Sequence, residues 1–241
     1  MKNSKSKFTG LKISLIVGLM LVPSFSASII NDTFTDGGRT NGADLADMNW
    51  LMLTTTSSVA VADDSAGIGS GNALKFSTGG TFRGLVGLFG SNTQLGVGDT
   101  ITVSFNYRYN TAPTSSGAGL RFGIFDDGGT PQTSDGSESG IRFNDAGYGA
   151  NLNPGAAGSS LSLHKESAGD EILGGTAPNG IVNFGTAGAS IVSGITSHSA
   201  TLSISRDVSG LNLACNIDGL SSATGSDTSP LTNQFSYFGL E

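Results

Sequence analysis

The residues with the most chemistry to offer lie in one short segment, "RFGIFDDGGTPQTSDGSESGIRF" (121–143). Asp126, Asp127, Asp135 and Glu138 set four carboxylates among glycines and hydroxyls, between two runs with strand character. Hard oxygen donors of this kind suit Ca²⁺, and these four residues are the candidate metal ligands. The segment lacks the Asp-x-Asp-x-Asp-Gly spacing of a calcium loop. A ligand-binding rim without metal, or a plainly solvated connection, fits the same residues.

Three arginines, Arg108, Arg121 and Arg142, fall on the polar sides of strand-like runs. Gathered on one face, their guanidinia would clamp carboxylates or sulfates bidentately, as recognition of an acidic polysaccharide requires. Dispersed, each would pair with a nearby aspartate across strands. Tyr148, in "NDAGYGANLN", reads as a ring standing on a glycine-flanked loop, where it would offer a platform to the apolar face of a pyranose. Trp50 and Tyr237 are further candidates for that role, whereas Tyr107 and Tyr109 are in phase with a core face. The three arginines and Tyr148 form the candidate ligand-binding set.

Catalytic signatures are missing. Retaining glycosidases hold two carboxyl groups about 5 Å apart. None of Glu138, Glu166, Glu171 and Glu241 has an acidic neighbour four positions away within a strand-like run. His164 and His198 are the only histidines, one on the polar side of "LSLHKE" and one just before a strand. No Gly-x-Ser-x-Gly elbow, His-Glu-x-x-His pair or Cys/His cluster is present. The chain therefore reads as a non-enzyme, with no catalytic residue to name.

The elements that must position these side chains repeat with period two. In "ITVSFNYRY" (101–109), Ile101, Val103, Phe105, Tyr107 and Tyr109 share one face, and Thr102, Ser104, Asn106 and Arg108 the other. Similar runs occupy 49–55, 58–62, 72–77, 82–89, 119–125, 140–144, 161–166, 200–206, 211–218 and 235–241. One helical turn over 43–50 is the only helical expectation. Short strands without intervening helices specify an all-β fold, a two-sheet antiparallel sandwich of jelly-roll type. "NPGAAGSS" (153–160) and the glycine-rich 174–190 read as loops or weak strands. "FSYFGLE" carries strand character up to Glu241, so this strand is expected either to close a sheet edge or to end a sandwich that lacks its last strands.

Composition supports this reading and bounds the compartment. Glycine supplies 37 of 241 residues, about twice its usual share of ~7%, while proline stays at six. Lys2, Lys5, Lys7 and Lys12 precede the apolar "ISLIVGLMLV", and Pro23 opens "SFSAS", the plan of a secretory signal peptide over 1–28. Ten apolar residues fall short of the ~20 that span a bilayer. Residues 29–241 are then one domain, exported to the extracellular medium, the cell surface or the periplasm. Losing four of 12 basic residues while keeping all 19 acids moves the net charge from −7 to −11. That balance disfavours nucleic acid and anionic lipid as partners. Cys215, the lone cysteine, lies in phase with Leu211, Leu213 and Ile217, as a buried structural thiol would.

One segment points to a superfamily. "HSATLSISRDVSGLNLACNIDG" (198–219) sets two alternating strands about the turn Asp207 to Gly210, the second running into "NIDG". It resembles the late hairpin of laminin G-like and concanavalin A-like jelly rolls, where a strand of the form h-T-L-x-I-x-R pairs with one ending I-D-G. "GNALKFS", "LGVGDTITVSFNYRY" and "GLRFGIFDD" follow the order seen in such domains, so the resemblance covers 72–127 and 198–219 in pattern. Many secreted bacterial proteins share this sandwich. Superfamily members bind glycans, adhere to surfaces or cleave polysaccharides, and the fold alone selects none of these. The resemblance implies a lectin-like module for a polysaccharide or cell-surface glycan, with Ca²⁺ as its candidate cofactor. The alternatives are an adhesive surface protein with a protein partner and, further off, a polysaccharide lyase or hydrolase.

Overall fold

The structure is a computed structural model that describes residues 30–40, 48–68, 71–77, 84–110, 119–136, 145–152, 161–167, 182–186, 195–218 and 221–241. Every element among them is a strand. A seven-stranded sheet runs in the order β1 (Asn49–Met52), β4 (Leu85–Gln94), β13 (Gln234–Leu240), β6 (Leu120–Asp126), β7 (Ala146–Leu152), β8 (Ser162–Ser167), β9 (Val182–Thr186). A four-stranded sheet is ordered β12 (Ser221–Asp227), β11 (Gly210–Ile217), β10 (His198–Asp207), β5 (Thr100–Tyr107). β2 (Ser58–Asp63) and β3 (Asn72–Ser77) pair as a separate ribbon. All pairings are antiparallel. The expected all-β jelly-roll sandwich is the observed one.

Alternation explains how the two large sheets meet. Phe122 and Ile124 of β6 and Leu163 of β8 point inward from one sheet, and Leu202, Ile204, Leu213 and Ile217 from the other; all are at most 2% exposed. Phe105 crosses the gap, edge-on to Phe122 at 5.0 Å and tilted against Phe238 at 5.5 Å. Such aromatic pairs add about 0.5–1.5 kcal/mol beyond the area they bury. Cys215 belongs to this core, and burial pushes its thiol up to about 12, so it is inert at neutral pH. A smaller apolar cluster of Leu53, Val86, Phe125 and Tyr237 lies on the opposite side of the seven-stranded sheet.

The hairpin read in 198–219 forms over its described residues, 198–218. Asp207 pairs with Gly210 across the turn, and its Oδ1 accepts the amides of Ser209 (2.6 Å) and Gly210 (3.0 Å). Gly210 has φ +148, and a Cβ there would stand 2.0 Å from the Asp227 carbonyl oxygen, so glycine is required. Asp218, at φ 52, closes the other end; its carboxylate accepts the Ser199 amide at 2.7 Å and lies 2.8 Å from His198 Nδ1. Asp218 is thus a clamp on the neighbouring strand.

Three strands differ from expectation. β7, read as a loop around Tyr148, is a strand whose glycines make room for Phe125 of β6. A Cβ on Gly147 would lie 2.4 Å from the Phe125 ring and 2.5 Å from the Ile124 carbonyl oxygen. β12 escapes detection because "SSATGSD" offers only Ala223 to the core. β9 lies in the glycine-rich 174–190 stretch. The helical turn expected over 43–50 is overturned at its end, where Asn49 and Trp50 open β1; 43–47, the 140–144 strand and the 1–28 leader lie outside the described residues. β13 takes an interior place between β4 and β6.

Replacing Phe122 with Ala should lower the unfolding free energy by about 3–5 kcal/mol, because it empties the point where the sheets touch. Urea titration with an unchanged m-value checks this. A loss under about 1 kcal/mol would contradict the packing described.

Candidate functional site

The acidic loop is docked rather than open. Asp135 takes both Arg39 guanidinium nitrogens (3.0 and 2.6 Å) and the Met52 amide (3.0 Å), while Arg39 also donates to the Trp50 carbonyl at 2.7 Å. The Gln132 side-chain amide (2.6 Å) and the Gly136 backbone amide (2.9 Å) both donate to the Met52 carbonyl. The loop is therefore stitched along β1. Asp126 accepts the Gly128 amide and the Thr232 hydroxyl, both at 3.2 Å. Asp127, 5% exposed, accepts the Gly129 amide at 2.8 Å. These three carboxylates do not converge, and among the described residues no three His, Cys, Asp or Glu side chains gather as metal ligands. Asp126, Asp127 and Asp135, expected as metal ligands, are each engaged by protein partners, and Glu138 lies outside the described residues.

Arg108 and Arg121 are not brought together. Arg108 follows β5 in the four-stranded sheet and is held by Asp64, through Nε at 2.7 Å and a second, shorter contact from its other nitrogen. Arg121 lies on β6 in the other sheet. Arg142 is outside the described residues. Tyr148 also differs from expectation. It points into the core, 0% exposed, and donates to Asp227 at 2.8 Å; Asp227 in turn meets Lys165 at 2.7 Å. That chain joins β7 and β8 to β12, so Tyr148 is an inter-sheet tie and offers no platform. Trp50 and Tyr237 are likewise buried, donating to Asp32 (2.7 Å) and Asp145 (2.9 Å).

What the topology does assemble is a polar row on the outer side of the seven-stranded sheet. Register sets Arg121 opposite Asn151 and Asn151 opposite Ser162, on three successive strands. Glu241 joins the row, exchanging backbone hydrogen bonds with Arg121 (2.7 and 2.8 Å) and placing its carboxylate 3.4 Å from the guanidinium. One step along, Gly123, Gly149 and His164 form the next row, and His164 Nε2 lies 2.7 Å from the Ser162 hydroxyl. Burial, then the nearby Arg121 charge, lowers the His164 pKa, so the ring is neutral at physiological pH. At the far end of the same face sits an acidic interior. Asp145 and Glu166 are 0% exposed beside Tyr237, and burial lifts the Asp145 carboxyl to about 7. Burial and the charges of Asp145, Glu166 and Asp127 drive the Tyr237 phenol well above its usual value.

These groups equip the row for recognition. A guanidinium, a neutral imidazole, an amide and a hydroxyl lie on neighbouring strands, with the Arg121 side chain 32% exposed and Ser162 9% exposed. Among the described residues His164 Nδ1 has no hydrogen-bond partner. Asn151 and Ser162 carry no motif. The signal available for β8 is that Ser162, His164 and Glu166 alternate on one side; Asn151 enters only through cross-strand register.

No family model matches the chain, and no curated protein matches it. Similar solved structures include a carbohydrate-binding module from Bacillus subtilis, at 11% identity over 80% of this chain and 86% of that one, with a TM-score of 0.42. The globular domain of T. cruzi calreticulin is 13% identical over 79% and 76%, with a TM-score of 0.49. A legume lectin-like domain from Entamoeba histolytica is 12% identical over 83% and 89%, with a TM-score of 0.44. These likenesses concern the fold and carry nothing about the site.

Two carboxylates should respond oppositely to pH. The Arg39 guanidinium holds Asp135 below its usual range, so its contribution is present above about 3.8 and lost as pH falls through the lowered value. Arg39→Met should therefore cost about 1 kcal/mol near neutrality and nothing in strong acid. Asp145 is raised, so its contribution is present below 3.8 and lost as pH rises toward and past about 7. The stability difference between Asp145→Asn and wild type should grow in the variant's favour from pH 4 to 8. Flat difference curves from pH-dependent urea unfolding would refute both assignments.

Proposed function

We propose that this chain is a secreted, non-catalytic module that binds an acidic glycan on the outer face of its seven-stranded sheet. The observation that carries the reading is the row Arg121–Asn151–Ser162, with His164 beside it, set side by side by the register of three consecutive strands. A sugar carboxylate or sulfate would take the Arg121 guanidinium, while Asn151, Ser162 and His164 exchange hydrogen bonds with ring hydroxyls. The Arg121–Glu241 contact is long at 3.4 Å, with side chains 32% and 19% exposed. The chain then stands with concanavalin A-like sandwiches, without a specific tie to laminin G-like ones. No helix among the described residues is long and apolar enough to cross a membrane. The net charge of −7 argues against nucleic acid as the partner. The groups of the row can meet a carboxylate or sulfate without calcium.

A glycan array run with and without chelator tests the proposal. The expected result is binding to uronate- or sulfate-bearing glycans that survives chelation and weakens about tenfold or more, ~1.4 kcal/mol, in Arg121→Ala. Silence across acidic and neutral glycans would reject it in favour of an adhesive protein with a protein partner. Release of reducing ends or unsaturated products would reject the non-catalytic assignment.

A further inference from the structure

The outer side of the four-stranded sheet has a different character from the rest of this acidic chain. Its outward positions form rows in unbroken register. Thr100, Ser205, Asn212 and Ser226 make one row across β5, β10, β11 and β12. Thr102, Ser203, Ala214 and Thr224 make the next, and Ser104, Thr201, Asn216 and Ser222 the third. Apart from Ala214, each of these is Ser, Thr or Asn. None is charged and none aromatic, in a protein with 19 acidic residues.

Between the first two rows runs a shallow open trough of about 530 Å³, its floor lowered where Ala214 carries only a methyl. Some of the lining is held in place: Asn212 donates to Asp207 at 2.7 Å and accepts from the Ser226 hydroxyl at 2.7 Å. The Thr102 and Ser203 hydroxyls bond each other across strands at 2.9 Å.

We infer that this trough is a second binding site, for a short run of a neutral polysaccharide chain. The argument is complementarity of charge and donors. A face of hydroxyls and amides with no charge matches a polymer that presents only hydroxyls, ethers and amides, and penalises a charged chain by offering it no counter-ion. Four strands at ~4.8 Å spacing give a path of about 14 Å, enough for several sugar rings. Twist selects among neutral partners. Neighbouring strands rotate by roughly 20–25°, so the rows turn by about 60–75° across the sheet and cannot match a flat crystalline surface. A single, bendable chain can follow them. Without aromatic stacking, each hydrogen bond replaces one made with water, so binding is weak, in the millimolar to high-micromolar range.

The test is an NMR titration of the full chain with neutral hexasaccharides of glucose, xylose, mannose and N-acetylglucosamine, alongside wild-type and variant proteins. The expected result is a saturable shift for at least one of them, centred on 203–214 and 224–226. Ala214→Gln, an exposed change that fills the trough without touching the core, should abolish it. Asn212→Ala should weaken it several-fold, and Arg121→Ala, on the other sheet, should leave it intact. No shift with any hexasaccharide overturns the inference, as does binding that persists in Ala214→Gln. Loss of neutral binding in Arg121→Ala overturns it too, by assigning the contact to the seven-stranded face.

Discussion

Cross-strand register is the constraint on which everything else in this molecule depends. Side chains alternate with period two, so a slip of one residue would turn every buried side chain outward. In β10 and β11 the register sets Leu202 against Cys215 and Ile204 against Leu213, while Thr201 and Ser203 face solvent opposite Asn216 and Ala214. The same alternation in the other sheet buries Phe122 and Ile124 and turns Arg121 out toward Asn151. Core and functional faces are two sides of one pattern. Hydrophobic burial that fixes the core also fixes which polar residues become neighbours.

The sheets are then tied at their edges by polar contacts suited to a chain without disulfides. Tyr148, Asp227 and Lys165 bridge the layers, and Asp135 with Arg39 staples the acidic loop to β1. Carboxylates that look like ligands in the sequence are largely consumed in this way. Asp64 holds Arg108, Asp207 shapes the hairpin turn, and Asp218 closes its far end. The abundance of aspartate in turns is architectural, because its side chain accepts backbone amides two residues on.

Legibility followed the same physics. Strands with large apolar residues on alternate positions, such as β5, β6, β10 and β11, could be read directly, because burial needs those residues whatever lies next to them. β7 could not be read, because its glycines answer to the Phe125 ring on a neighbouring strand, a requirement invisible in local sequence. Tyr148 was misplaced for that reason. Arg121 could be named from its polar phase, yet Asn151 and Ser162 needed a pairing that no motif encodes. The engagement of Asp135 could not be read, because its partners, Arg39 and the Met52 amide, lie more than eighty residues away.

The central claim is that register builds a recognition row from Arg121, Asn151, Ser162 and His164. Its most direct test is amide and side-chain chemical-shift mapping with an oligogalacturonate hexamer. The account predicts saturable shifts confined to 121–123, 149–151 and 162–164, with the His164 ring among the most affected. Shifts centred on 126–136, or none at all, would contradict it.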